Sequence, residues 1–118
     1  MLFWDETEVL SFFEVIPEEV DLLYKVYTVV KDGIKLCLRV NPYDADVYIS
    51  LTNLSNDGIL FDMRINRCQS IKLGSTPTSE YLAVAPGLVE QSSLHDPIPE
   101  ITRGALIWVK PTLRVTMG

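Results

Sequence analysis

Residues 21–41 and 46–66 lie over one another without a gap, and both windows carry Asp-Gly at the same offset. The second halves read Asp32-Gly33-Ile34-Lys35-Leu36-Cys37-Leu38-Arg39-Val40-Asn41 and Asp57-Gly58-Ile59-Leu60-Phe61-Asp62-Met63-Arg64-Ile65-Asn66. Asp-Gly supplies the positive φ that a tight hairpin turn needs, and the alternation behind it has the period of a half-buried strand. A hairpin signature written twice restricts the chain to antiparallel β structure. Six of the twenty-one aligned positions are identical, so duplication and convergence on one turn chemistry both account for the likeness.

Four strands are predicted at about 20–30, 34–41, 46–53 and 59–66. For the first turn, a two-residue Asp32-Gly33 loop sets Tyr27, Val29 and Lys31 on the face of Ile34, Leu36 and Leu38. A three-residue loop, Lys31-Asp32-Gly33, with Gly33 left-handed in a bulge, pairs Val30 with Ile34, Thr28 with Leu36 and Val26 with Leu38. The bulge gathers more apolar side chains on one face and is the preferred reading. The same offset in the second copy pairs Leu51 with Met63 and Ile49 with Ile65. The inward set is then Leu22, Tyr24, Val26, Val30, Ile34, Leu36, Leu38, Val40, Val47, Ile49, Leu51, Ile59, Phe61, Met63 and Ile65, with Lys25, Lys35, Arg39, Ser50, Asp62 and Arg64 facing solvent. Tyr27 and Val29 fall on the outer side, covering a dimer contact or lying beneath the N-terminal helix.

That helix is predicted over Glu6 to Val15. Asp5 is the N-cap, Glu8 stands at capping-box spacing, Trp4 and Val9 are placed as a hydrophobic staple, and Pro17 ends the segment. Its acidic side faces outward. Beyond residue 66, strands are predicted at about 70–73, 81–85 and 105–117, with Pro111 as a break. The stretch 86–104 reads as the longest irregular loop. The expected fold is therefore mainly β: an antiparallel β-sandwich or barrel-like meander of about seven strands with one short N-terminal helix packed on the sheet. It forms a single domain over 1–118, divided into the helix (1–17), twin hairpins (20–73) and C-terminal strands with a long loop (80–117).

Charge narrows the function classes. Seven of the sixteen acids, Asp5, Glu6, Glu8, Glu14, Glu18, Glu19 and Asp21, precede the first base, Lys25, in a chain of net charge −6. A nucleic-acid binder requires a basic stripe, whereas this distribution suits a basic protein partner or simple solubility. The first residues have no basic n-region or apolar h-region, and no apolar run is long enough to span a bilayer, so a cytoplasmic protein with reduced Cys37 and Cys68 is expected. His95, the only histidine, is followed by Asp96 and stands near Ser92 and Ser93, but neighbours along the chain seldom assemble a nucleophile–base–orienter set. One histidine and unspaced cysteines do not make a metal motif, and Gly74-Ser75-Thr76-Pro77 lacks the Gly-Lys-Ser/Thr of a phosphate loop. The expectation is a protein that is not an enzyme and takes no cofactor.

Phe12-Phe13-Glu14-Val15-Ile16-Pro17, followed by Asp21 and a run of short strands through Ile71-Lys72-Leu73, resembles small bacterial immunity proteins of polymorphic-toxin systems. In some of those a short helix and a Pro turn precede antiparallel strands. The histidine expected near their first strand is missing here, where the chain reads Glu18-Glu19-Val20-Asp21. The resemblance implies a protein that neutralises a toxin by occluding it, and an acidic surface suits a basic nuclease toxin. Two readings follow. In the first, Glu6, Glu8, Glu14, Glu18, Glu19 and Asp21 bind a protein partner. In the alternative, a metal-free barrel gated by 86–104 binds a small ligand in a pocket lined by Tyr24, Tyr48, Trp108 and Phe61, with His95 and Asp96 as further pocket or loop residues. A homodimer through an exposed strand edge is a third expectation.

Overall fold

The computed structural model describes residues 2–90, 100–110 and 112–117. Among these residues ten strands and one helix follow in the order β1 (Phe3–Trp4), α1 (Glu6–Phe13), β2 (Glu18–Val20), β3 (Tyr24–Lys31), β4 (Ile34–Asn41), β5 (Asp46–Asn53), β6 (Ile59–Asn66), β7 (Ser70–Ser75), β8 (Glu80–Glu90), β9 (Glu100–Trp108) and β10 (Arg114–Met117). The mainly β class with a short helix packed on the sheet is what the structure shows. The excess over seven strands comes from the short β1 and β2 and from the division of 105–117 into the end of β9 and β10.

All strands join one hydrogen-bonded network with the path β1-β7-β8-β6-β5-β4-β3-β2, and β9 branches from β8 to reach β10. Every pairing is antiparallel except β1 with β7. The long β8 pairs with β7 through its first half and with β6 through its last residues, shifting register around Gly87. The sheet thereby curls, and the helix packs against β7, β8 and β3, closing the opening between the two sides. Lys31 draws the same sides together, its ammonium donating to the Val109 carbonyl at 3.1 Å. The expected irregular stretch 86–104 is corrected by these strands: 86–90 continue β8 and 100–104 open β9, while 91–99 lie outside the described residues.

Core positions on β4, β5 and β6 follow the alternation of the sequence. Leu36, Leu38, Val40, Val47, Ile49, Met63 and Ile65 are buried, in one cluster with Ile71, Leu82, Val84, Ala105 and Ile107 from the other side of the curl. On β3 the expected register is wrong. Lys31 pairs with Ile34, Val29 with Leu36 and Tyr27 with Leu38, so the loop is the two-residue Asp32-Gly33 turn, both residues at positive φ. Such a turn has the twist of the strands it joins. Tyr27 and Val29 face inward, and Val26 and Val30 move to the outer face. Leu22 and Val30, expected inside, are exposed. In the second hairpin Leu51 pairs with Phe61 and Ile49 with Met63, two residues from the expected offset. There a bulge beyond Leu51 pairs Thr52 with Ile59 and sends Ile59 outward.

The helix begins as its sequence dictates. Asp5 Oδ1 accepts from the Thr7 and Glu8 amides at 2.9 and 3.3 Å. It stops at Phe13, two residues short of expectation, where Glu14 turns left-handed and donates its amide to the Leu10 carbonyl. Glu8 does not close a capping box. Its Oε1 instead accepts from the Leu73 amide of β7 at 2.7 Å, beyond the short stretch of β7 that β1 covers. Phe13 meets Tyr27 with ring centroids 5.5 Å apart, so Tyr27 lies beneath the helix.

Candidate functional site

The six acids singled out from the sequence do not act alike. Glu14 forms an ion pair with Lys110 at 3.0 Å, Glu19 is paired with Lys25, and Glu8 caps the edge of β7. Lys25 lies on the inner side of β3 rather than in the solvent-facing set. Its ammonium titrates above an ordinary lysine, chiefly because Glu19 accepts its hydrogen bond, with Glu6 adding attraction from the start of α1. Glu18 and Asp21 remain as exposed carboxylates on and beside β2, the last strand of the path, whose outer edge pairs with no other strand among the described residues.

That edge also carries apolar side chains in water. Ile16, just before β2, is 87% exposed, and Leu22, just after it, is 85% exposed. The turn from β2 to β3 holds both Asp21 and Leu22 at positive φ, closed by the Leu23 amide on the Val20 carbonyl at 3.1 Å. A branched residue in the left-handed region costs about 1–2 kcal/mol. The fold therefore holds a strained, exposed leucine next to an acid in the turn that ends β2, a combination that packing alone does not reward.

Around the curl, the outer faces of β3 to β6 present a second surface. Arg39 lies over the Tyr24 ring at 4.8 Å and Arg64 over the Tyr48 ring at 5.5 Å. Tyr48 stands directly between Arg39 and Arg64 in the strand register, so rings and guanidiniums alternate across four strands. Beside this row is a hollow of about 280 Å³ lined by Cys37, Ser50, Thr52, Ile59 and Asp62. Asp62 Oδ1 and Arg64 Nε are buried without a hydrogen-bond partner among the described residues. Alternation along the sequence places both arginines in solvent; their stacking becomes visible only in the true register.

A groove of about 820 Å³ opens between the end of α1 and the tip of the β7–β8 hairpin, with Phe12, Leu73 and Val109 as apolar lining and the Glu14–Lys110 pair at its rim. The residues offered as a common pocket do not meet there. Tyr48 is on the outer face, Trp108 stacks beneath Arg114 at 3.9 Å beside Tyr81, Phe61 packs on the core, and His95 and Asp96 lie outside the described residues. Among the described residues no group of three His, Cys, Asp or Glu side chains converges as for a metal, and no helix is long and apolar enough to cross a membrane.

The fold has a solved counterpart. A chain of the contact-dependent growth inhibition toxin–immunity protein complex from Klebsiella pneumoniae 342 superposes with a TM-score of 0.74 over 98% of this chain and 95% of that one, at 17% identity. The resemblance to immunity proteins holds at the level of fold. No protein-family model matches the chain, and no curated protein matches it.

Proposed function

We propose that this chain is a non-catalytic protein-binding module of the immunity type, acting in the cytoplasm by covering a basic partner with the acidic β2 edge. Support comes from the near-complete fold match to a chain of a toxin–immunity complex. The observation that carries the reading is local: Glu18 and Asp21 are exposed on an open edge between two exposed aliphatic residues. Charges at a rim accelerate encounter, and apolar groups beside them bury on contact. Glu6 extends the negative field across the start of α1. Glu8, Glu14 and Glu19, engaged within the chain, contribute mainly through that field.

The test is capture of the partner from native cell extract by the chain and by a Glu18→Lys/Asp21→Lys variant. The expected result is at least a tenfold loss of affinity, about 1.4 kcal/mol or more. A Glu14→Gln variant, which releases Lys110 but leaves the edge intact, is expected to bind nearly as the parent. Equal capture by all three proteins removes the acidic edge from the account.

A further inference from the structure

Beside the β2 edge lies one end of the molecule, where β3, β5 and β7 start and β4 and β6 finish, with β1 alongside β7. Its surface is made of residues 3–6, 19–25, 42–45 and 67–69. The Phe3 amide donates to the Gln69 carbonyl at 3.0 Å and the Cys68 amide to the Ala45 carbonyl at 2.8 Å, which ties three of these segments together. The Lys25 ammonium, bonded to Glu19, also lies in the fields of Glu6 and Tyr43, which brings 19–25 to the same place. The four segments hold five acids, Asp5, Glu6, Glu19, Asp21 and Asp44, against two bases, Lys25 and Arg67. A cationic group is drawn to such an end.

Tyr43 is what that group meets. It is the most exposed of the five tyrosines, at 74%. Tyr24, Tyr48 and Trp108 each lie under an arginine of the same chain, whereas no cation lies over the Tyr43 ring among the described residues. Its backbone is nevertheless fixed. Asn41, buried, accepts from the Tyr43 and Asp44 amides through Oδ1 at 3.0 and 3.2 Å and donates from Nδ2 to Asp44 Oδ2 at 3.2 Å. A ring held on an ordered turn loses little conformational freedom on contact. Asp44 Oδ1 has no partner among the described residues, so the residue next to the open ring keeps a carboxylate oxygen for a donor.

We infer that Tyr43 and Asp44 seat one cationic side chain of the basic partner, its charge over the Tyr43 ring and an N–H donated to the Asp44 carboxylate. The inference rests on the proposed function and adds to it the group that is recognised. A cation on an aromatic face gains most once water is excluded, and a guanidinium can stack on the ring while it donates to the carboxylate. Surrounding acids bring the cation in; the ring and Asp44 fix where it lands.

The probe is the protein that the parent chain retains from native cell extract, purified and titrated calorimetrically against the parent and two variants. Tyr43→Phe keeps the ring and is expected to bind within about threefold of the parent. Tyr43→Leu keeps apolar surface without the ring face and should bind roughly fivefold to thirtyfold more weakly. Position 43 is exposed, and native circular dichroism of each variant checks the fold. Leucine binding as well as phenylalanine overturns the inference, because Tyr43 is then apolar contact area alone. Equal loss in both variants also overturns it, because the hydroxyl is then what the partner recognises. Binding that falls in Glu18→Lys/Asp21→Lys but is unchanged at position 43 removes the seat and keeps the proposed function. A parent chain that retains no protein removes the proposed function itself, and the seat with it.

Discussion

The two hairpins read as copies in the sequence differ most where their sequences agree best. In β3–β4 the Asp-Gly pair is the entire loop, with Asp32 at φ 53° and Gly33 at φ 76°. In β5–β6 it is the tail of a loop over 54–58. There Asp57 is left-handed, Gly58 is not, and Asn53 and Asn56 brace the loop by accepting from Ser55 and Gly58. A dipeptide permits a tight turn; the residues before it decide whether the turn is made. Lys31 precedes the first pair and continues its strand, whereas Asn53-Leu54-Ser55-Asn56 precedes the second and gives the backbone side-chain acceptors in place of ladder partners. The longer loop is followed by the bulge that turns Ile59 outward.

The sharpest way to break this comparison uses two apolar residues of β6 that alternation alone assigns to one face. Met63 is 2% exposed and packs in the core. Met63→Ala is expected to cost about 2–5 kcal/mol in denaturant unfolding. Ile59→Ala, on the solvent side of the bulge, should change stability by less than about 0.5 kcal/mol. Similar losses at both positions would mean that the bulge does not form and that the hairpins share one geometry.

Turn chemistry gives the next effect. A Cβ at Gly33 meets nothing within 4 Å, so Gly33→Ala isolates the backbone conformation. Holding alanine in the left-handed region is expected to cost about 1–2 kcal/mol. An unchanged midpoint would mean that Gly33 is not held left-handed, against the two-residue and the three-residue loop alike.

Tyr27 tests which face of β3 is covered. Burial, with a smaller contribution from Glu6, pushes its phenol up to about 12 from the ordinary 10, and its hydroxyl has no partner among the described residues. The unfolded chain ionises at the lower value and the folded chain at the higher, so stability present below pH 10 is lost as pH rises through 10 to 12. In Tyr27→Phe that part of the decline should disappear. At neutral pH the variant should be neutral or slightly more stable, because a buried unpaired hydroxyl is removed. An unaltered alkaline limb would place Tyr27 in solvent, where the three-residue loop puts it.

These residues also mark how far the sequence carries. On β4, β5 and β6 one face is mostly apolar and the other mostly polar, so alternation names the core correctly from Leu36 to Ile65 except at Ile59, which the bulge turns outward. On β3 both faces are apolar, Tyr27 and Val29 on one and Val26 and Val30 on the other. Pattern loses its power there, and turn length alone decides. Pro86-Gly87 reads as the start of a loop, yet β8 crosses it by shifting register against β9, a compensation that depends on a strand distant in sequence. The acidic segment is legible as composition. Which acids remain available is not, because Lys110, Lys25 and the Leu73 amide reach Glu14, Glu19 and Glu8 only in three dimensions.

The smallest expected effect completes the comparison at the second Asp-Gly. A Cβ at Gly58 would come within 2.8 Å of Asn56 Oδ1, the same atom that accepts the Gly58 amide at 2.8 Å. The obstacle is the end of an exposed side chain, which swings away, and Gly58 has no left-handed φ to defend. Gly58→Ala therefore gives up one exposed hydrogen bond, about 0.5 kcal/mol or somewhat more, and regains part of it by restricting the unfolded chain. Its cost in chemical unfolding should fall below that of Gly33→Ala, and an Asn56→Ala background should reduce it further, since the clash and the bond vanish together. If Gly58→Ala proves as costly as Gly33→Ala in both backgrounds, the two turns impose the same backbone demand, and the contrast between the hairpins must be sought in the strands instead.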